Sequence, residues 1–155
     1  MSSSPQERLQ TLGLVLPTPA AAIAAYVPAV RTGNLLLVSG QLPLLEGALM
    51  LSGRFGAGPT IEQGQAAARQ CGLNLLAQVL AVTGSLEAVT RVVRLGGFIA
   101  STPEFIEHAK IMNGASEVME AVFLGAGRHV RTTIGVPVLP LGAAVEVEGL
   151  FEIAA

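Results

Sequence analysis

Residues 60–84 read TIEQGQAAARQCGLNLLAQVLAVTG, and they predict one long helix near the middle of the chain. Thr60 and Gln63 have the spacing of a capping box, in which each side chain satisfies a backbone N–H at the start of a helix. The apolar positions recur at the spacing of one helical face, and Gly84 is a typical residue after a last helical turn. This amphipathic helix should therefore cover one face of a sheet.

β-prone segments flank this helix on both sides. Before it, Val27–Arg31 and Leu35–Ser39 are joined by a short segment around Gly33, which predicts a hairpin. After it, Val89–Ala100 is rich in β-branched residues and predicts a long strand. Gly96-Gly97 inside that strand suggests a bulge or a close backbone approach.

The remaining third of the chain predicts two helices and two strands. A short helix should open after Thr102-Pro103, and a second helix should cover Ser116–Leu124. Arg131–Val138 and Ala144–Ile153 are typical strands. The order of strands, helix, strand, helices and strands predicts an α+β fold whose helices pack on one face of the sheet.

The length and the start of the chain indicate a single unit. A chain of 155 residues has the length of one domain. We therefore expect one domain over residues 1–155, with residues 1–19 as an N-terminal helical extension. Ser4 and Glu7 form a capping box at the start of this extension, and Gly13 ends its helix. The single cysteine, Cys71, excludes an internal disulfide and should be a buried packing residue.

The composition indicates an oligomer and argues against several partners. Charged residues make up only 13% of the chain, about half the usual share. We therefore expect apolar surface to be hidden in a subunit interface. The net charge of −2 and the lack of a basic run predict no nucleic-acid partner. Apolar stretches shorter than a membrane span and the lack of a signal-like N-terminus predict no membrane partner and a cytoplasmic location.

Two groups of residues carry a family resemblance. The first is Tyr26-Val27 followed by GNLLLVSGQLP at residues 33–43, and the second is RTTIGV at residues 131–136 with Leu139-Pro140 and VEVE at residues 145–148. In order and spacing they resemble the RidA/YjgF family of enamine/imine deaminases, also labelled endoribonuclease L-PSP. The resemblance covers about residues 20–153, and the additional N-terminal helix is typical of a longer branch.

The resemblance implies a chorismate-mutase-like mixed sheet, a homotrimer and small-molecule clefts between subunits. It implies hydrolysis of small 2-imino acids and their enamine tautomers to 2-keto acids and ammonia, as in 2-iminobutanoate/2-iminopropanoate deaminases. The carboxylate-binding arginine falls on Arg131, and the acid that handles the attacking water falls on Glu146. The substrate-binding positions are Tyr26, Ser39, Gly40, Asn113 and Thr133. Thr133 stands where many deaminating members have a cysteine.

The strand pattern itself makes a geometric prediction. Alternation puts Arg131 and Thr133 on one side of their strand and Ile134 on the other. If the apolar side meets the helices, Arg131 faces away from them. A hairpin turn before the last strand would place Glu146 opposite Gly135, with its Cα roughly 13 Å from that of Arg131. A small molecule could lie between the two side chains.

The expected chemistry needs few groups. The C2 atom of an imino acid is already electrophilic, so the enzyme has only to orient the carboxylate, place a water and move protons. No cofactor is expected. His108 and His129 lack Cys or carboxylate neighbours at metal-ligand spacing, so no metal is expected. By the residues alone, Arg131 and Glu146 could also form an interface ion network with Glu148, and Glu148 is interpreted as a structural partner.

Two other functions remain open at this point. The same cleft could serve a non-catalytic or regulatory trimer that binds small carboxylates. Some family members carry an endoribonuclease or translation-inhibitor label, against which the acidic balance of this chain argues. The discriminating observation is whether Arg131 and Glu146 point into one open cleft, or Glu146 is buried in a salt bridge.

Overall fold

The computed structural model describes residues 2–22 and 24–155. Over these residues the chain forms three α-helices and seven β-strands. In chain order they are α1 (Pro5–Thr11), β1 (Ala29–Thr32), β2 (Leu35–Gln41), β3 (Leu44–Leu45), β4 (Ala48–Leu49), α2 (Ile61–Thr83), β5 (Val89–Ala100), α3 (His108–Phe123), β6 (Val130–Val136) and β7 (Val145–Ile153). Short 3₁₀ turns cover Leu86–Ala88, Leu124–Gly127 and Pro140–Gly142.

Five strands form one mixed sheet in the order β1-β2-β7-β5-β6. β5 and β6 run parallel, whereas the other neighbours are antiparallel. β3 and β4 form a separate two-stranded ribbon that turns at Glu46-Gly47. Helices α2 and α3 pack together and cover one face of the main sheet, where the alternate residues of β7 are buried. The predicted α+β sheet with helices on one face is confirmed.

The long central helix begins and ends where its capping residues predict. The Thr60 side chain accepts a hydrogen bond from the backbone N–H of Gln63, and the Gln63 side chain accepts one from Thr60 N–H. Gly84 follows the helix with a φ of 76°, a left-handed conformation that costs glycine little. Cys71 is fully buried on this helix, as predicted, and burial raises the pKa of its thiol.

The N-terminal helix is present and docks on the end of α3. Its capping box at Ser4 and Glu7 is formed. Arg8 Nε donates to the carbonyl oxygen of Val122 at 2.6 Å, and Leu9 is buried in the core. The guanidinium thus satisfies a carbonyl in the last turn of α3, where a cation is favourable.

The predicted division of the α3 region is wrong. One helix runs from His108 to Phe123, and the residues after Thr102-Pro103 form a turn rather than a short helix. Gly114 lies in mid-helix because α2 comes very close there, and a Cβ atom at this position would clash with the backbone carbonyl of Gln65. Packing against α2 therefore outweighs the low helix propensity of glycine.

The two glycines within β5 are sites of close side-chain packing rather than a bulge. The irregular pairing of β5 with β7 lies near Arg91 and Val93 instead. A Cβ atom at Gly96 would lie 2.7 Å from Glu148 Oε1, and one at Gly97 would lie 2.6 Å from the sulfur of Met112. The glycines therefore leave room for side chains on the two opposite faces of the strand.

The predicted hairpin between the last two strands is wrong. The chain leaves β5, passes through α3 and returns as β6 parallel to β5, so β6 becomes the edge strand. β7 then pairs on the other side of β5. Glu146 lies beside Phe98 of β5, which lies in turn beside Ile134 of β6, and is therefore not opposite Gly135.

Candidate functional site

Glu146 lines a small cavity on the face of the sheet that points away from α2 and α3. The cavity has a volume of about 90 Å³. Its lining comprises Ala20, Ala21, Ala22, Tyr26, Pro28, Ser39, Gly40, Gln41, Leu42, Leu44, Pro140 and Glu146. Four of the predicted site residues, Tyr26, Ser39, Gly40 and Glu146, thus come together, and we call this the glutamate cavity.

An irregularity between β2 and β7 shapes this cavity. The register of the two strands shifts between Val38 and Gln41, which displaces Ser39 and Gly40 from regular pairing. Ser39 Oγ donates to the carbonyl oxygen of Pro28 at 3.1 Å. The carboxylate of Glu146 lies directly over Gly40, where any Cβ atom would clash with it. Glycine at position 40 is therefore what lets Glu146 turn into the cavity.

The Glu146 carboxyl has an altered acidity. Burial, and to a lesser extent the negative charge of Glu148, raises the pKa of Glu146. Glu148 itself forms an ion pair with Arg94, whose Nη1 lies 3.1 Å from Glu148 Oε1. Among the described residues Glu146 has no ion-pair partner. Within one chain Glu148 is thus the structural partner of Arg94, whereas Glu146 faces the open cavity.

Buried amides on α2 hold the wall of the glutamate cavity. Asn74 Nδ2 donates to the carbonyl oxygens of Leu42 and Leu44 at 2.9 and 3.0 Å. Gln78 Nε2 donates to the carbonyl oxygen of Ala20 at 2.8 Å. Neither these amides nor the alanines of the wall were predicted from the sequence. The available signal was the run of Gln70, Asn74 and Gln78 at a spacing of four residues on an otherwise apolar helix, and all three are buried.

Arg131 lies on the face of the sheet opposite to the one predicted. It pairs with the buried Leu95 and faces α3, and its Nη1 donates to Ser116 Oγ at 3.0 Å while its Nη2 donates to the carbonyl oxygen of Ala109 at 3.1 Å. The apolar side of β6 is the exposed one, with Ile134 at 47% exposure. At an edge strand the polar side can face a helix if that helix supplies hydrogen-bond acceptors.

Two further predicted site residues, Thr133 and Asn113, lie on β6 and α3, the same two elements that hold Arg131 in place. Thr133 faces the same side, next to Gly97, and its Oγ1 is buried without a hydrogen-bond partner among the described residues. Asn113 is exposed on α3. We call the group of Asn113, Ser116, Arg131 and Thr133 the arginine site.

Gly135 does not provide the open space that was predicted above it. A Cβ atom there would lie 2.6 Å from both Ser101 Oγ and His108 Nε2. Those two side chains are hydrogen-bonded to each other at 3.1 Å and occupy this end of the strand.

One chain does not bring the arginine site and the glutamate cavity together. Arg131 lies two strands from Glu146 and three residues further along, which corresponds to roughly 14 Å between their Cα atoms. Their side chains also point to opposite faces of the sheet. A single small molecule therefore cannot contact both side chains within one chain.

Neither a metal-binding cluster nor a membrane-spanning helix occurs among the described residues. In the part of the chain that the structure describes, no three His, Cys, Asp or Glu side chains are grouped so that they could hold a metal ion. Likewise, no helix over residues 2–22 and 24–155 is long and apolar enough to cross a membrane.

The mixed five-stranded sheet with one helical layer has known counterparts. The family described as "YjgF/chorismate mutase-like, putative endoribonuclease" matches residues 6–153. The chain therefore belongs to the YjgF family, also called RidA/YjgF. The predicted resemblance is confirmed.

Several individual proteins are similar to the chain. Protein TCP17 of Trypanosoma cruzi is 46% identical over 146 residues, which are 94% of this chain and 91% of that protein. The crystal structure of Atu1372 from Agrobacterium tumefaciens, a protein of unknown function, is 42% identical with a TM-score of 0.91 and covers 97% of this chain and 92% of its own. E. coli TdcF with bound serine shares the fold at 22% identity, with a TM-score of 0.64 and coverage of 89% and 94%.

Proposed function

We propose that this protein hydrolyses small 2-imino acids, and their enamine tautomers, to 2-keto acids and ammonia. The observation that carries the proposal is a glutamate of raised pKa, without an ion-pair partner among the described residues, in a cavity with Tyr26 and Ser39. A raised pKa makes the carboxylate a stronger base, which suits a group that takes a proton from water and returns it. Family membership supports the same assignment.

The proposed reaction proceeds by addition and elimination. The Glu146 carboxylate takes a proton from a water molecule as the water oxygen bonds to C2 of the imino acid and the C=N electron pair moves onto nitrogen, and Glu146 then gives that proton to the nitrogen to form the carbinolamine. In the second step Glu146 takes the hydroxyl proton as the C2=O bond forms and the C2–N bond breaks, and it gives this proton to the departing nitrogen, which leaves as ammonia. Water is consumed, one keto acid and one ammonia are formed, and neither oxidant nor reductant is needed.

The substrate carboxylate is assigned to Arg131. Two of its five N–H donors are used by Ser116 and the Ala109 carbonyl, and the other three have no partner among the described residues. A guanidinium with adjacent free donors can bind a carboxylate in bidentate fashion.

Because the two sites face opposite sides of one sheet, the proposal requires a second copy of the chain. We propose a homotrimer in which the arginine site of each subunit meets the glutamate cavity of its neighbour. Exposed apolar side chains on the face of the sheet that the helices do not cover, the open face, support such an assembly, since a partner subunit would bury them. They include Leu35, Leu37, Val130 and Ile134, which are 39–68% exposed.

Subunit complementation tests both the residues and their arrangement. Arg131→Ala and Glu146→Gln chains, each inactive alone, are refolded together in equal amounts, and ammonia release from enzymatically generated 2-iminobutanoate is measured. If each cleft takes Arg131 from one subunit and Glu146 from the next, every mixed trimer regains one cleft and the mixture recovers about a quarter of wild-type activity. No recovery from well-folded mixed trimers would contradict the shared cleft.

A second function, reversible binding of small carboxylates without turnover, has one observation in its favour. Thr133 offers a hydroxyl where a thiol is common in the deaminating members, and its Oγ1 is buried. TdcF of E. coli, which has the same fold, has been crystallised with bound serine. Saturable binding of 2-oxobutanoate in calorimetry without ammonia release from any imino acid would establish the binding function instead. The endoribonuclease description of the family finds less support here, because acidic residues outnumber basic ones by 11 to 9.

A further inference from the structure

The arginine site contains a chain of hydrogen bonds that runs away from Arg131. Arg131 Nη1 lies 3.0 Å from Ser116 Oγ, Ser116 Oγ lies 2.9 Å from His129 Nε2, and His129 Nδ1 lies 2.6 Å from the carbonyl oxygen of Gly127. Neither Ser116 nor His129 has a part in the carboxylate binding proposed for Arg131 or the proton transfer proposed for Glu146.

The partners at the two ends set the directions of these hydrogen bonds. A carbonyl oxygen can only accept, so His129 carries a proton on Nδ1, and with this tautomer of the imidazole Nε2 is the acceptor. Ser116 donates its hydroxyl proton to that nitrogen. A guanidinium can only donate, so the Ser116 oxygen accepts from Arg131. All donors point one way, an arrangement in which successive hydrogen bonds strengthen one another.

The end of this hydrogen-bond series at Gly127 is held rigidly. Gly127 is buried in the turn after α3, and a Cβ atom there would clash with the carbonyl oxygen of Met119. The Gly127 carbonyl is therefore held in place by close backbone packing against α3. At the other end, the Arg131 guanidinium makes a second hydrogen bond besides the one to Ser116. Its Nη2 donates to the carbonyl oxygen of Ala109, which lies two helical turns before Ser116 on α3.

From this geometry we infer that Ser116 and His129 are positioning residues, which fix the Arg131 guanidinium so that its three free N–H donors are already arranged for a carboxylate. The inference rests on the proposed role of Arg131. Without the two residues, Arg131 would have to be ordered when the ligand binds, and ordering one long side chain weakens binding by about two- to tenfold.

Matched variants of Ser116 and His129 test the hydrogen bonds that connect these residues to Arg131. Ser116→Ala removes the hydroxyl, whereas Ser116→Thr keeps it. His129→Asn can still donate to Gly127 but does not reach Ser116, whereas His129→Gln presents an amide oxygen near the position of Nε2. We expect a two- to tenfold weaker binding of 2-oxobutanoate in calorimetry for Ser116→Ala and His129→Asn, with recovery in Ser116→Thr and His129→Gln.

A second measurement makes the inference independent of the proposed function. In ¹⁵N NMR of the ligand-free protein, the immobilised Arg131 guanidinium should give resolved Nη signals, assigned with Arg131→Lys, that average in Ser116→Ala and His129→Asn. Resolved signals in both variants would overturn the positioning role. If the signals average but Arg131→Ala leaves 2-oxobutanoate binding unchanged, the contact is upheld and the proposed substrate role of Arg131 fails instead.

Discussion

Arg94 donates to Glu148 on the open face of the sheet, with 3.1 Å between Nη1 and Oε1. The ion pair engages the glutamate that lies two residues from Glu146, and the negative charge of that glutamate contributes to the raised pKa of Glu146. Among the described residues Glu148 thus has a cation beside it and Glu146 has none, although both lie on the same strand.

The first prediction tests whether Glu146, and not Glu148, is the acid–base group of the proposed reaction. Glu146→Gln should lower kcat for imino-acid hydrolysis by about 10²- to 10⁴-fold, the usual contribution of a positioned acid–base group. Binding of 2-oxobutanoate should change little, because glutamine keeps the shape of the side chain. Glu148→Gln is the matched control and should retain most of the turnover. Equal losses in the two variants would contradict the assignment of Glu146.

The second prediction concerns pH and stability. The pKa of Glu146 is raised in the folded state, so between the unfolded and the folded pKa the folded chain binds more protons than the unfolded chain. Its stabilisation by the protonated carboxyl is therefore lost as the pH rises through this interval. Glu146→Gln does not titrate, so the Tm of the variant relative to wild type should increase from about pH 4, near the pKa of an unfolded glutamate, to neutral pH. Thermal melts at both pH values measure the difference, and a constant difference would argue against the raised pKa.

The third prediction tests whether the paired N–H donors of the Arg131 guanidinium bind the ligand carboxylate. Arg131→Lys keeps the charge but loses the planar pair of donors, so its affinity for 2-oxobutanoate should fall by about 1–3 kcal/mol. Calorimetry at fixed ionic strength gives this value. Arg94→Lys is the control, because its partner is Glu148, and it should bind the ligand normally. Unchanged affinity in Arg131→Lys would remove Arg131 from the ligand site.

The fourth prediction concerns the buried hydroxyl of Thr133. Its Oγ1 has no partner among the described residues, and valine has nearly the same shape. Thr133→Val should therefore raise the free energy of unfolding by about 1 kcal/mol, since an unsatisfied buried polar group is destabilising. Urea unfolding at constant m-value measures it. A loss of stability would mean that the hydroxyl is hydrogen-bonded in the native assembly.

The fifth prediction tests the close contact between α2 and α3. Gly114→Ala gains about 1 kcal/mol of helix propensity, but its Cβ meets the carbonyl of Gln65, which is backbone and cannot rotate away. Overpacking of this kind should dominate and lower the free energy of unfolding by about 1–3 kcal/mol. Gly125 has no atom within 4 Å of its Cβ position, so Gly125→Ala should stay within about 0.5 kcal/mol of wild type. Equal stability of the two variants would show that the helices can separate to accept the methyl group.

The helix ends were predictable from the sequence because their causes are local. The capping side chains at Ser4 and Thr60 and the left-handed glycine at Gly84 act within a few residues of the helix they delimit. The continuity of α3 through Gly114 was not predictable in this way. It depends on the distance to α2, which no local pattern encodes.

The side of β6 on which Arg131 lies was missed for a similar reason. Alternation correctly grouped Arg131 with Thr133, but it does not say which group meets the helices. The usual assumption, that apolar residues face the helical layer, fails because β6 is an edge strand whose apolar side is exposed in one chain. The hairpin estimate for Glu146 failed because β5 lies between β6 and β7.

The N-terminal extension also bears on how the protein is prepared. The hydrogen bond from Arg8 holds helix α1 against the end of α3, and the hydrogen bond from Gln78 of α2 holds the chain at Ala20. The segment between Arg8 and Ala20 is therefore tethered at both ends. Ala20 and the two alanines after it form part of the cavity wall. Trimming the first 22 residues to obtain a compact core would therefore remove one side of the pocket, together with the buried side chain of Leu9.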